Sequence, residues 1–154
     1  MAEDIFITAA ARTAMGSFQG ALRDLTAPEI GGTAIAAVVD QQNLDKTLID
    51  EVIMGCVLPA GLGQAPARQA SFAGGISESV PCSTVNKMCG SGMKAVMLGY
   101  DQIKAGGADI ILAGGMESMS NAPYLSSKAR DGARIGHQNL VDHMFLDGLE
   151  DAYD

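Results

Sequence analysis

Apolar residues along this chain gather in short runs separated by glycine, proline and polar clusters, and the spacing within each run predicts its element. Ile5, Phe6 and Ile7 head an apolar run over 5–10 that reads as a buried strand. Thr26 and Glu29 stand at capping-box spacing with Pro28 in the first turn, so a helix starts there. Ile30, Ala34, Ile35 and Val38 recur near the helical period through its body over 30–39. Residues 51–58 read as a second strand closed by Pro59, 66–72 as a short helix, and 82–86 as a third strand. A long helix over 92–105 and a fourth strand over 109–113, ended by Gly114 and Gly115, complete the series.

Strands alternating with helices predict an α/β fold with a mostly parallel, mixed sheet and helices on both faces. The pattern changes at Ser118, which divides the chain into an α/β unit over 1–117 and a second segment over 118–154. Residues 118–136 are polar and loop-like, with Lys128, Arg130 and Arg134 as a small basic cluster whose default reading is a solvated loop. An amphipathic pattern over 140–146 predicts a short helix.

Composition narrows the function classes. Hydrophobic residues make up 47% and charged residues 18%, so the 154 residues have enough apolar material for a folded core. A net charge of −8 opposes a phosphate backbone, which excludes a nucleic-acid partner. No apolar run is long enough to cross a bilayer, and no membrane partner is expected. The start of the chain, Ala2-Glu3-Asp4, is acidic where a targeting peptide is basic. Cys56, Cys82 and Cys89 have no metal-site or disulfide-framework spacing, which points to a reducing compartment and a cytoplasmic location.

The stretch from Val85 to Ala95 concentrates the chemistry. It places Cys89 between the end of a strand and the start of a helix, with Gly90 and Gly92 letting the backbone turn and a substrate approach. A helix N-terminus offers unpaired N–H groups and partial positive charge, which favour a thiolate and can hold a developing oxyanion. Cysteine is also a common small core residue, and the residues alone leave Cys89 open between that role and a nucleophile. Cys56 and Cys82, in apolar strands without a following glycine turn, read as structural. Gly90, Gly92 and Ala95 also fit a variant dinucleotide fingerprint. Against it, the next strand ends in Gly114-Gly115 and not in a ribose-binding acid.

The run Asn86-Lys87-Met88-Cys89-Gly90-Ser91-Gly92 followed by Met93-Lys94-Ala95-Val96 resembles the thiolase signature around the acyl-accepting cysteine. Three further stretches agree with that family in the same order. These are Arg12 to Phe18 (its opening loop), Gly63 to Gln69 (its dimer-contact segment), and Ala113 to Ser120 (the turn after its fourth strand). The resemblance runs from about Ile5 to Tyr153. Ser120 to Tyr124 and Asp147-Gly148-Leu149 look most like the acetoacetyl-CoA thiolases.

The resemblance implies the N-terminal half of the layered αβαβα thiolase fold over 1–117, with the start of an inserted loop domain over 118–154. It implies acyl transfer between coenzyme A thioesters through a Cys89 acyl-enzyme. Two acetyl-CoA would condense to acetoacetyl-CoA, or the reverse thiolysis would run. The substrates are acyl-CoA thioesters, no cofactor or metal is called for, and the full-length form would be a homodimer or homotetramer. The family's activating histidine, its asparagine and its second acid/base cysteine belong to a C-terminal domain whose motifs do not occur here. His137 and His143 match none of those positions and read as surface or loop residues. The chain alone therefore reads as an incomplete, inactive part of a longer enzyme. The alternatives are a ketoacyl-synthase-type condensing enzyme, and a non-catalytic piece that binds acyl chains or a partner.

Overall fold

A computed structural model describes residues 4–153. Three strands make the central sheet: β1 (Glu51–Gly55), β2 (Cys82–Val85) and β3 (Ile111–Gly115). Their order is β2-β1-β3, and both pairings are parallel. Helices α1 (Ala27–Gln42), α2 (Pro66–Ala73) and α3 (Ser91–Lys104) connect or flank them.

Alternation along β1 explains the layering. Val52, Met54 and Cys56 point into one core with Ala27, Ile35 and Val39 of α1 and Ala67 and Ala70 of α2. The opposite face carries α3, whose Gly99 rests on Ile111 and whose Gly92 meets the Gly114–Gly115 backbone. Helices thus cover both faces of an α/β sheet, as the alternating pattern predicts.

Local chemistry fixes the boundaries. Thr26 accepts from the Glu29 N–H while the Glu29 carboxylate accepts from the Thr26 N–H, so the predicted capping box starts α1. Asn43, in the left-handed region at φ 46°, ends it. Thr84 of β2 accepts from the Ala67 N–H and holds the first turn of α2, which has no side-chain N-cap of its own. At the amino end of the sheet, the Asp50 carboxylate accepts from the Asp109 and Ile110 N–H groups and seats β3 beside β1.

Two expectations are corrected. Residues 5–10 pair with no described strand, and Phe6 and Ile7 are 76% and 81% exposed. The segment runs along one side of an apolar groove of about 530 Å³ whose other walls come from α1, α3 and the edge of β3, so no backbone neighbour lies beside it. The helix expected over 140–146 starts later, with helical residues over 143–149. Val141–Asp142 forms β5, antiparallel to β4 (Tyr124–Leu125), and Phe145–Leu149 follows as a single wide turn. The long-range pairing takes Val141 and Asp142 of the amphipathic pattern out of the helix. Among the described residues no helix is long and apolar enough to cross a membrane.

Candidate active site

The three parallel strands end level with one another, Gly55 beside Val85 and beside Gly115. Loops leaving the carboxyl ends of such strands converge, which is where open α/β sheets build their sites. Here they enclose a cavity of about 410 Å³ lined by Cys89, Val57, Leu58, Met88, Glu117 and Met119, with Met144, Gly148 and Leu149 across it.

Cys89 is the exposed cysteine of the three. It stands between β2 and α3, two residues before Ser91, as the sequence predicts. Met88, just before it, takes φ 48°, a left-handed conformation that costs a non-glycine residue about 1–2 kcal/mol. Hydrogen bonds on both sides hold this strained turn. The Met88 N–H donates to Asn86 Oδ1 at 2.9 Å, and the Met88 carbonyl accepts from Ser91 Oγ at 2.6 Å and from the Ser91 N–H at 3.0 Å. Ser91 Oγ in turn accepts from the Lys87 N–H at 2.8 Å. Residues 86–91 are therefore a braced elbow that presents Cys89 at the cavity wall.

Small residues let α3 approach the sheet. A β-carbon on Gly115 would stand 3.1 Å from Gly92 Cα, so the first turn of α3 lies on the strand ends with no side chain between.

The other two cysteines are placed differently. Cys56 is buried, its thiol facing the Glu117 carboxylate at 3.7 Å, and burial followed by that negative charge pushes its pKa up to about 12. Cys82 is half-buried in β2, its thiol donating to the Val80 carbonyl.

His143 corrects its sequence reading, because it is not a surface residue: it is 5% exposed. Its Nε2 accepts from the Ala60 N–H at 3.4 Å, and its Nδ1 lies 2.6 Å from the Asp147 carboxylate. Both ring nitrogens are engaged, so His143 clasps the segment carrying Met144 and Leu149 to the loop after β1. His137 lies on the exposed loop, as do Lys128, Arg130 and Arg134. Arg68, in the segment that resembles a dimer contact, donates to the Glu78 and Val80 carbonyls of its own chain and stacks on Phe72. No set of three or more histidine, cysteine or acidic residues among those described is placed to hold a metal ion.

Glu117 and Asn86 both bind the loop after β1, contacts that the sequence reading did not anticipate. Glu117 Oε2 accepts from the Val57 N–H at 2.8 Å and its Oε1 from the Leu58 N–H at 3.0 Å. Asn86 Nδ2 reaches the Val57 carbonyl at 3.3 Å.

A parallel α/β sheet thus carries a braced cysteine elbow at its carboxyl edge. The family description "Thiolase, N-terminal domain" matches residues 5–154, and the chain belongs to the thiolase family. Over 98% of its length it is 52% identical to an acetyl-CoA acetyltransferase of Pseudomonas aeruginosa. It is 53% identical over 97% to acetyl-CoA acetyltransferase 2 of Arabidopsis thaliana, and 51% identical over its full length to an acetyl-CoA acetyltransferase of Saccharomyces cerevisiae. The chain spans 37–39% of the length of these relatives.

Proposed function

We propose that this chain supplies the nucleophile and one wall of the acyl pocket in a thiolase that transfers acetyl groups between coenzyme A thioesters. The observation that carries the reading is the Cys89 elbow, braced at the wall of an apolar cavity of about 410 Å³.

Cys89 Sγ attacks the acyl-CoA carbonyl carbon, the C–S bond to coenzyme A breaks, and the departing thiolate takes up a proton. The acetyl group then rests on Cys89 as a thioester. A second acetyl-CoA loses an α-proton, its carbanion attacks that thioester, and Cys89 leaves to give acetoacetyl-CoA. Thiolysis runs the same steps backwards. The Cys89 N–H, before the first turn of α3, is the donor that would meet the oxyanion in each attack. The thioester supplies the activation, so the scheme calls on no cofactor.

The proton transfers need a base and an acid beyond the groups described here, since His143 is committed to Ala60 and Asp147. We assign them to the part of the protein that corresponds to the relatives' additional length. A reducing compartment such as the cytoplasm suits three free cysteines, and the full-length form is proposed to be a homo-oligomer. Steady-state thiolysis of acetoacetyl-CoA by the full form that the gene encodes tests the reading. Cleavage that Cys89→Ser abolishes supports it, and cleavage that survives Cys89→Ser overturns it.

A further inference from the structure

We propose that Glu117 is a positioning residue for Cys89, acting through the loop after β1 and the side chain of Asn86. The inference rests on the acyl-transfer reading of the site and names a residue that this reading does not require.

Glu117 follows β3 by two residues and turns its carboxylate toward the end of β1. Three donors converge on it: the Val57 N–H, the Leu58 N–H and the Cys56 thiol. Two charge-assisted bonds from consecutive amides fix both the position and the tilt of the 57–58 peptide. The opposite edge of that peptide segment carries the next link, because the Val57 carbonyl accepts from Asn86 Nδ2. Asn86 then uses its other amide atom, Oδ1, to accept from the Met88 N–H. The route from Glu117 to the strained residue before the nucleophile thus contains two side chains and one short piece of backbone.

This arrangement answers a physical need. Met88 stays in the left-handed region only while its neighbours over-determine it. Ser91 supplies the constraint from the α3 side, and Asn86 supplies it from the β1 side. Asn86 is exposed and would turn freely unless its amide were held, and the Val57 carbonyl holds it. Val57 in turn leaves the sheet and has no ladder partner of its own, so the Glu117 carboxylate replaces the missing strand neighbour. A glutamine at 117 keeps one acceptor and turns an NH₂ toward an amide donor. It therefore loses one bond and sets two donors against each other.

The test uses the full form that the gene encodes, with Glu117→Gln, Asn86→Ala and the double variant. Rapid-mixing mass spectrometry reads the saturating rate of acetyl transfer from acetyl-CoA to Cys89 and the half-saturating concentration. Iodoacetamide alkylation reads Cys89 without substrate, and a melting curve reports folding. Each single variant is expected to lower the saturating rate about tenfold or more while half-saturation stays within about threefold, because a misplaced nucleophile slows the step without weakening substrate binding. The double variant is expected to fall within about threefold of the slower single variant, since both act on one route. A folded Glu117→Gln within about twofold of wild type overturns the proposal, as do single losses that multiply in the double variant. If Glu117→Gln does not fold, Asn86→Ala decides by the same criteria. If wild-type protein takes no acetyl group, the acyl-transfer reading fails. The alkylation rates then judge the positioning role separately, slower alkylation in both variants supporting it and unchanged rates overturning it.

Discussion

Gly55 and Ser91 are in backbone contact: a β-carbon on Gly55 would lie 2.5 Å from the Ser91 carbonyl carbon and 2.6 Å from the Gly92 nitrogen. The last residue of the central strand therefore sets how closely the first turn of α3, and with it Cys89, approaches the sheet. Gly55→Ala must push α3 outward, because the atoms in the way are backbone. Overpacking of this kind costs about 1–3 kcal/mol. The variant is expected to melt lower and to show slower Cys89 alkylation, measured on the same sample. Unchanged values for both would remove Gly55 from the account of the site.

The three thiols should separate kinetically. Cys89 is exposed, Cys82 is half-buried, and Cys56 is buried with its pKa pushed up to about 12. At pH 8 a thiol with that pKa is thiolate in roughly one molecule in ten thousand. Peptide mapping after brief iodoacetamide treatment should find Cys89 labelled first and Cys56 last. The raised folded value also has a sign for stability: the contribution of Cys56 is complete below its ordinary value near 9.0 and is lost as pH rises toward about 12. Cys56→Ser should flatten that alkaline decline. Equal labelling of all three cysteines in folded protein would contradict the assignment.

The clasp formed by His143 gives a third outcome. With both ring nitrogens engaged in a buried setting, His143→Ala leaves the Ala60 N–H and the Asp147 carboxylate without their partner. Losing such bonds costs about 1–3 kcal/mol. Limited proteolysis should cut near 143–149 sooner in the variant. Digestion at the wild-type rate would show that the clasp does not hold this side of the cavity.

Much of this was legible in the sequence because local signals set it. The Thr26–Glu29 box, the glycine and proline breaks between the runs and the apolar spacing place α1, β1, α2, β2, α3 and β3 within a few residues. The position of Cys89 at the strand-to-helix turn was legible too, since strand, turn and helix adjoin it in the chain. Residues 5–10 carry a strand pattern, but pairing needs a neighbour that the pattern cannot supply. Val141 was read as helical because its partner, Leu125, lies across a polar stretch with no period. Glu117 was not read as a site residue for a related reason. Its donors at 57 and 58 are about sixty residues away, and an acidic residue after a glycine pair carries no local mark.

Exposed apolar side chains point to association. Met93, Met97 and Tyr100 on α3 are half or more exposed, and Phe6 and Ile7 border the open groove. Apolar surface in contiguous patches favours contact between molecules. The purified 154-residue chain should form oligomers or aggregates at micromolar concentration by light scattering. A monodisperse monomer would mean that these side chains are covered in solution.

The central claim is that Cys89 becomes acylated. The direct measurement is acid-quenched intact mass and peptide mapping of the full form that the gene encodes, after mixing with acetyl-CoA, beside its Cys89→Ser variant. One acetyl group is expected on the peptide containing Cys89, removed by added coenzyme A, and none on that peptide in the variant. An unmodified Cys89 in protein that still cleaves acetoacetyl-CoA, or an acetyl group carried by Cys56 or Cys82 instead, would contradict it.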